Sequence, residues 1–191
     1  MQVDLSYFAN PPVPARFRST TLRSSADKTP LVVLIVALLA GCGGGPAFSA
    51  GRFRDEEAGY RVGPLDGSWT PVRVEGQNDL AWQNRRLNAI IQVNASCDPS
   101  MDVPLQALIK HLLIGFTERK IRSQQLLPMD GREALRMRLA AKLDGVPREL
   151  VLTVLKKDGC VYDFSLIASN PESAGRAVSD YDAVLAGFRS R

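Results

Sequence analysis

Three Asp-Gly dipeptides, at 130–131, 144–145 and 158–159, punctuate a run of alternating apolar and polar residues. No other feature of the chain restricts its fold as strongly. Between alternating runs, Asp-Gly is the strongest short-range hairpin signal, because a type I′ turn needs two consecutive residues at positive φ. In REALRMRLAAKL (132–143), Leu135, Met137, Leu139, Ala141 and Leu143 fall on one side, with Arg136, Arg138 and Lys142 on the other. RELVLTVLKK and CVYDFSLIA continue the pattern, and in the last run Tyr162, Phe164 and Leu166 share a side with Cys160. Three consecutive hairpin links predict an antiparallel meander over about residues 121–168. Asp66-Gly67 repeats the same device upstream.

The flanking segments supply the rest of the architecture. RLNAIIQVNASC (86–97) alternates with Leu87, Ala89, Ile91, Val93, Ala95 and Cys97 on one side, the period of a strand with one wet face. Leu105, Leu108, Ile109, Leu112, Leu113 and Phe116 then form a helical stripe, with Asp102 as N-cap and Pro104 in the first turn. A second helix is predicted after Asn170 and Pro171, its stripe built from Ala174, Ala177, Tyr181, Val184, Leu185 and Phe188. TPVRVE and DLAWQN read as two short strands ahead of the strand at 86–97. Each helix has one apolar side, so it must bury that side on the sheet. The expected class is α+β, a twisted antiparallel sheet of about six to seven strands covered by two main helices.

One helix before a four-strand meander and one after it, with LDG upstream and LTVLKKDGCVYDFSLIA leading into the last helix, resembles the PsbP-like superfamily over about residues 67–191. That group includes photosystem extrinsic proteins, a nuclear Ran-binding factor and bacterial envelope lipoproteins of the DcrB kind. The resemblance implies a small accessory protein that acts by binding other proteins. It carries over no site residue.

The address is read at the other end of the chain. Residues 31–40, LVVLIVALLA, are apolar for ten positions, half of the roughly 20 that a membrane-spanning helix needs. With Arg23 and Lys28 before it and small residues after it, the run fits a secretory signal peptide over residues 1–41. Leu39-Ala40-Gly41-Cys42 resembles the lipobox of bacterial lipoproteins, which implies that Cys42 becomes the diacylglycerol-linked first residue of the mature chain. Gly43, rather than aspartate, follows that cysteine. By resemblance to enteric sorting rules, this implies the periplasmic leaflet of the outer membrane if the cell is Gram-negative. Residues 1–22 are long for the basic region of a signal and hold Pro11, Pro12 and Pro14, so Met1–Thr21 is expected to be either a mis-assigned start, with translation beginning near Leu22, or a dispensable extension. After the cut, residues 42–60 are read as a flexible acylated tether and 61–191 as one α+β domain.

Charge and cysteine count bound the function. Residues 42–191 hold 20 basic and 18 acidic residues, a net +2, with no basic block interleaved by aromatics, so nucleic acid is not an expected partner. With Cys42 acylated, Cys97 and Cys160 are left as a pair. In an exported chain this suggests a disulfide, and the alternative is two separate buried thiols. The single histidine, His111, lies off its helix's apolar stripe and is expected at the surface. No nucleophile elbow, phosphate loop, dinucleotide fingerprint or zinc-ligand spacing occurs, so neither an enzyme nor a cofactor or metal is expected. Asp180 and Asp182 flank Tyr181, and residues two apart do not share a helical side. Trp69 and Trp82 are expected in the core or at a sheet edge. The basic row Arg136, Arg138 and Lys142 is the candidate partner surface, unless it only solubilises an outer face or pairs with Glu133 and Glu149. The expectation is thus a lipid-anchored envelope protein that binds another envelope component. The alternatives are a carrier of a small apolar ligand or a hydrolase of unrecognised type.

Overall fold

At each of the three Asp-Gly pairs both residues take positive φ: 49° and 76° at Asp130-Gly131, 50° and 78° at Asp144-Gly145, 53° and 78° at Asp158-Gly159. The turns therefore close three tight hairpins. They join β7 (Phe116–Met129), β8 (Arg132–Leu143), β9 (Val146–Lys157) and β10 (Cys160–Ala168). A computed structural model describes residues 47–54, 58–73 and 78–191. The signal segment 1–41, the proposed start near Leu22 and Cys42 lie outside the described residues. In chain order, the elements before the meander are β1 (Ala47–Ser49), β2 (Arg52–Arg54), β3 (Gly59–Arg61), β4 (Thr70–Pro71), β5 (Leu80–Asn84), β6 (Ala89–Ser96) and α1 (Leu105–His111). After it come α2 (Pro171–Ala186) and β11 (Arg189–Ser190).

Seven strands make the main sheet in the order β4-β5-β6-β10-β9-β8-β7, antiparallel throughout. Register places Trp82, Ile91, Leu166 and Val151 on one face, and that face carries α2. The Tyr181 hydroxyl on α2 bonds there to Thr153 Oγ1 at 2.8 Å and donates to the Phe164 carbonyl at 3.1 Å. The opposite face, with Leu135, Met137, Leu139, Leu150, Leu152 and Val154, is covered by α1 at β8 and β9. Asn170 caps α2 by accepting from the Ser173 N–H at 2.9 Å, with Pro171 at the first helical position. The sheet with two helical covers is the α+β class expected.

Three local expectations change. The first helix ends at His111, because Gly115 at φ +89° turns the chain, and Phe116 opens β7 instead of closing the helical stripe. Pro104, not Asp102, is its N-cap residue, and the Asp102 carboxylate is taken instead by Lys156 from β9. Asp66-Gly67 is no hairpin of this type. Gly67 is absent from the positive-φ positions, and Asp66 Oδ1 caps the turn by accepting from Ser68 N at 2.8 Å.

The largest correction concerns the tether. Residues 47–54 and 59–61 are not a loose linker but strands β1, β2 and β3, which form a second sheet ordered β1-β2-β3-β11. The physical reason is two side chains. Phe53 and Tyr60 face each other across β2 and β3 with rings 5.1 Å apart, and both are buried while Arg52, Arg54 and Arg61 point out. Tyr60 continues into the main core through Tyr162 and Phe188, each with ring centroids 5.9 Å away. The segment is fastened again where Gly63 meets the end of α2. Gly63 N donates to the Val184 carbonyl at 3.1 Å, and a Cβ on Gly63 would stand 1.9 Å from the Ala183 oxygen.

Candidate functional site

The side of β8 that carries Arg136, Arg138 and Lys142 does alternate with the apolar side, but the three do not form one patch. Arg136 Nη1 reaches Asp182 on α2 at 2.8 Å, and its guanidinium lies over the Tyr181 ring, 5.5 Å from the centroid. Cations over aromatic faces are held more strongly the less water reaches them, and the Arg136 side chain is only 13% exposed. Its Nε is buried and has no hydrogen-bond partner among the described residues. Arg138, two residues on, is exposed. Lys142, about 20 Å further along the strand from Arg136 by strand rise, pairs with Glu118 at 2.7 Å. The expected partners were Glu133 and Glu149. Asp182 and Glu118 take those places, and Glu149 instead holds Arg122 through both carboxylate oxygens, at 2.6 and 3.1 Å.

Arg136 lines a surface cleft of about 400 Å³ between the end of β7, strand β8, the last turns of α2 and Arg189. Leu127, Met129 and Leu185 give it apolar walls, and Asp130, Asp182 and Arg189 bring charge to the rim. Asp130 is committed inside the fold. Burial works to raise its carboxyl, but Lys157 Nζ at 2.7 Å and the Ser190 N–H at 2.9 Å outweigh it and hold the group below the ordinary carboxylate range. Arg136 is paired with Asp182, and Arg189 donates to the Ala186 and Phe188 carbonyls and lies 3.8 Å from Asp130. Two acids and two bases beside apolar walls suit the cleft to a segment that carries polar and apolar groups together. Asp180 and Asp182 separate as their spacing requires: Asp180 accepts from Trp69 Nε1 at 2.9 Å, while Asp182 faces Arg136. Trp69 and Trp82 are both buried.

A polar strip on the other sheet face was not legible in the sequence. Gln92 and Asn94 of β6 stand opposite Ser165 and Asp163 of β10. Ser165 Oγ donates to Gln92 Oε1 at 3.2 Å, and Asn94 Nδ2 donates to Asp163 at 3.4 Å. Gln92 Nε2 is buried without a partner among the described residues. Burial, reinforced by the Asp79 charge and opposed by Asn94, pushes the Asp163 carboxyl up to about 7. The signal exists only as register between strands some 70 residues apart. His111 is exposed at the end of α1, and Cys97 and Cys160 are bonded across the open end of the β6–β10 pair. Among the described residues, no group of three or more His, Cys, Asp or Glu could hold a metal ion.

Two sheets, two helices and these register pairs define a PsbP-like α+β fold. The solution structure of cyanobacterial PsbP (CyanoP) from Synechocystis sp. PCC 6803 is similar at a TM-score of 0.55 and 18% identity, covering 80% of this chain and 99% of that one. A crystal structure from Bacteroides thetaiotaomicron VPI-5482 is similar at a TM-score of 0.50 and 12% identity, over 69% of this chain and 45% of that one. LpqN, involved in cell envelope biogenesis of Mycobacterium tuberculosis, follows at 0.46 and 10%, over 70% and 84%, a similarity that carries no functional weight. No protein-family model and no curated protein matches the chain.

Proposed function

We propose that this protein is an envelope accessory lipoprotein whose folded domain binds another envelope component. The observation that carries the reading is the cleft beside α2. Apolar side chains from β7 and α2 line it together with four charged ones, next to an exposed strand. The lipobox-like Leu39-Ala40-Gly41-Cys42 supports membrane attachment at Cys42. The Cys97–Cys160 disulfide supports an oxidising compartment. Outer-membrane placement in the periplasmic leaflet rests on Gly43 alone. A carrier of an apolar ligand is less well supported, because four of the nine residues lining the cleft are charged. Two measurements test the reading. Cys42→Ser should move the protein from the membrane to the soluble fraction, and an unchanged distribution defeats the anchor. Cross-linking in intact envelopes should then recover a partner above background, and recovery of none defeats the binding role.

A further inference from the structure

We infer that the outer face of the small sheet, which carries Arg52, Arg54, Arg61 and Arg191, lies on the anionic headgroups of the membrane that holds the lipid anchor. This rests on the anchor at Cys42 proposed above, and the test reads the two apart.

Strands β1, β2, β3 and β11 hold four arginines and no acidic residue. Register sorts them onto one side. Ser49, Arg52, Arg61 and Arg189 stand opposite one another across the four strands, so their side chains leave the same face. Two residues along, Arg54 stands opposite Gly59, and the Arg191 side chain lies over that glycine, where a Cβ would be 2.9 Å from Arg191 Cδ. Phe53 and Tyr60 take the other face into the core. Arg52, Arg54, Arg61 and Arg191 are exposed.

Like charges directly opposite across a sheet destabilise it. Carboxylates relieve such charge elsewhere in the chain, where Arg122, Lys142 and Lys156 each pair with one. Arg52, Arg54 and Arg61 form no ion pair among the described residues, and Arg189 has Asp130 at 3.8 Å. Asp55, Glu56 and Glu57 join β2 to β3 and lie outside the described residues. Arg52 and Arg61 pair at the far end of that hairpin, beside the Ala50-Gly51 turn. The face therefore calls for an anion.

Position selects which anion. Cys42 precedes Ala47, the first residue of β1, by five residues, at most about 18 Å of fully extended chain. Attraction to an anionic surface fades over a Debye length, about 8 Å at physiological salt. An anchor this close keeps the arginine face beside the headgroups and makes their contact intramolecular. A soluble acidic protein has to find the same face by diffusion, whereas the bilayer is always next to it.

The test uses the full acylated chain in phosphatidylcholine vesicles with or without about 30% phosphatidylglycerol. A photo-cross-linking residue replaces Ser49 on the arginine face or, as a control, His111 on α1, which covers the other face of the main sheet. Ser49 should capture phospholipid in the anionic vesicles and lose at least about tenfold of that yield in neutral vesicles or at about 0.5 M salt. His111 should capture none above background. Equal capture from both positions, or capture from Ser49 that ignores phosphatidylglycerol, overturns the assignment. Capture of a protein but no lipid from Ser49 in intact cells overturns it equally. The Cys42→Ser chain carries no acyl group and should still prefer anionic to neutral vesicles. Arg52→Gln with Arg61→Gln should weaken that preference about thirtyfold, since each basic residue near such a surface contributes roughly fivefold. Arg52→Lys with Arg61→Lys should keep it, and equal binding by the glutamine and lysine pairs overturns the face. A parent that fractionates like Cys42→Ser defeats the anchor alone, and preference of the unacylated chain for anionic vesicles then still upholds the arginine face.

Discussion

Asp163 shows how far one side chain's chemistry depends on neighbours that are remote in sequence. Its position in CVYDFSLIA says only that it points away from Tyr162 and Phe164. Pairing of β10 with β6 sets Asn94 opposite it and brings the Asp79 charge close, and burial does most of the work in lifting the carboxyl to about 7. The sign of the consequence follows from linkage. Between the ordinary carboxylate value of 3.8 and about 7, the unfolded chain has lost this proton and the folded chain still holds it. Asp163 therefore contributes a stability that declines as pH rises through that window and is flat above it. Denaturant midpoints at pH 4.5 and 7.5 should fall less in Asp163→Asn than in the parent, and equal falls would refute the assignment. Asp130, held low by Lys157 and Ser190, has the opposite sign, and its contribution is lost only as pH falls below the window, toward and through its depressed folded value.

At the level of elements, the crossing of residues 62–63 over the end of α2 joins the small sheet to the large one. Gly63 and Gly187 are required there by contact, not by backbone angle. A Cβ on Gly187 would lie 2.3 Å from Gly63 Cα, and one on Gly63 would lie 1.9 Å from the Ala183 oxygen. The obstacles are backbone atoms that cannot rotate away. Gly63→Ala should cost at least about 3 kcal/mol, the upper part of the range for overpacking, read as a lower urea midpoint. Gly67→Ala is the control, because its Cβ would meet nothing within 4 Å, and its cost should stay within about 0.5 kcal/mol. The elements that were readable are those with many periods. Strands β8 to β10 and helix α2 repeat their pattern over 9 to 16 residues. Strands β1 to β3 have three residues each, too few to show a period, so RFRDEEAGY reads as charged linker although Phe53 and Tyr60 are core residues.

For the molecule as a whole, the Cys97–Cys160 bond ties the central strand pair and closes a sequence separation of 63 residues. Loop-closure entropy in the unfolded chain puts its contribution at about 4 kcal/mol. The double variant Cys97→Ser, Cys160→Ser should lose roughly 2–4 kcal/mol in guanidinium unfolding, and a loss under about 1 kcal/mol would show that the bridge is incidental. The order of the meander, its turns, the second helix and the α+β class were all written in local sequence. Asp-Gly turns and alternating side chains act over a few residues and need no distant partner. The cleft was not legible. Arg136 reads as one member of a basic row, and only the docking of α2 puts Asp182 and Tyr181 against it while Arg138 stays in water and Lys142 finds Glu118. Local periodicity fixes which side of a strand a residue occupies. What covers that side is set by contacts between segments tens of residues apart, and those contacts exist only once the chain has folded.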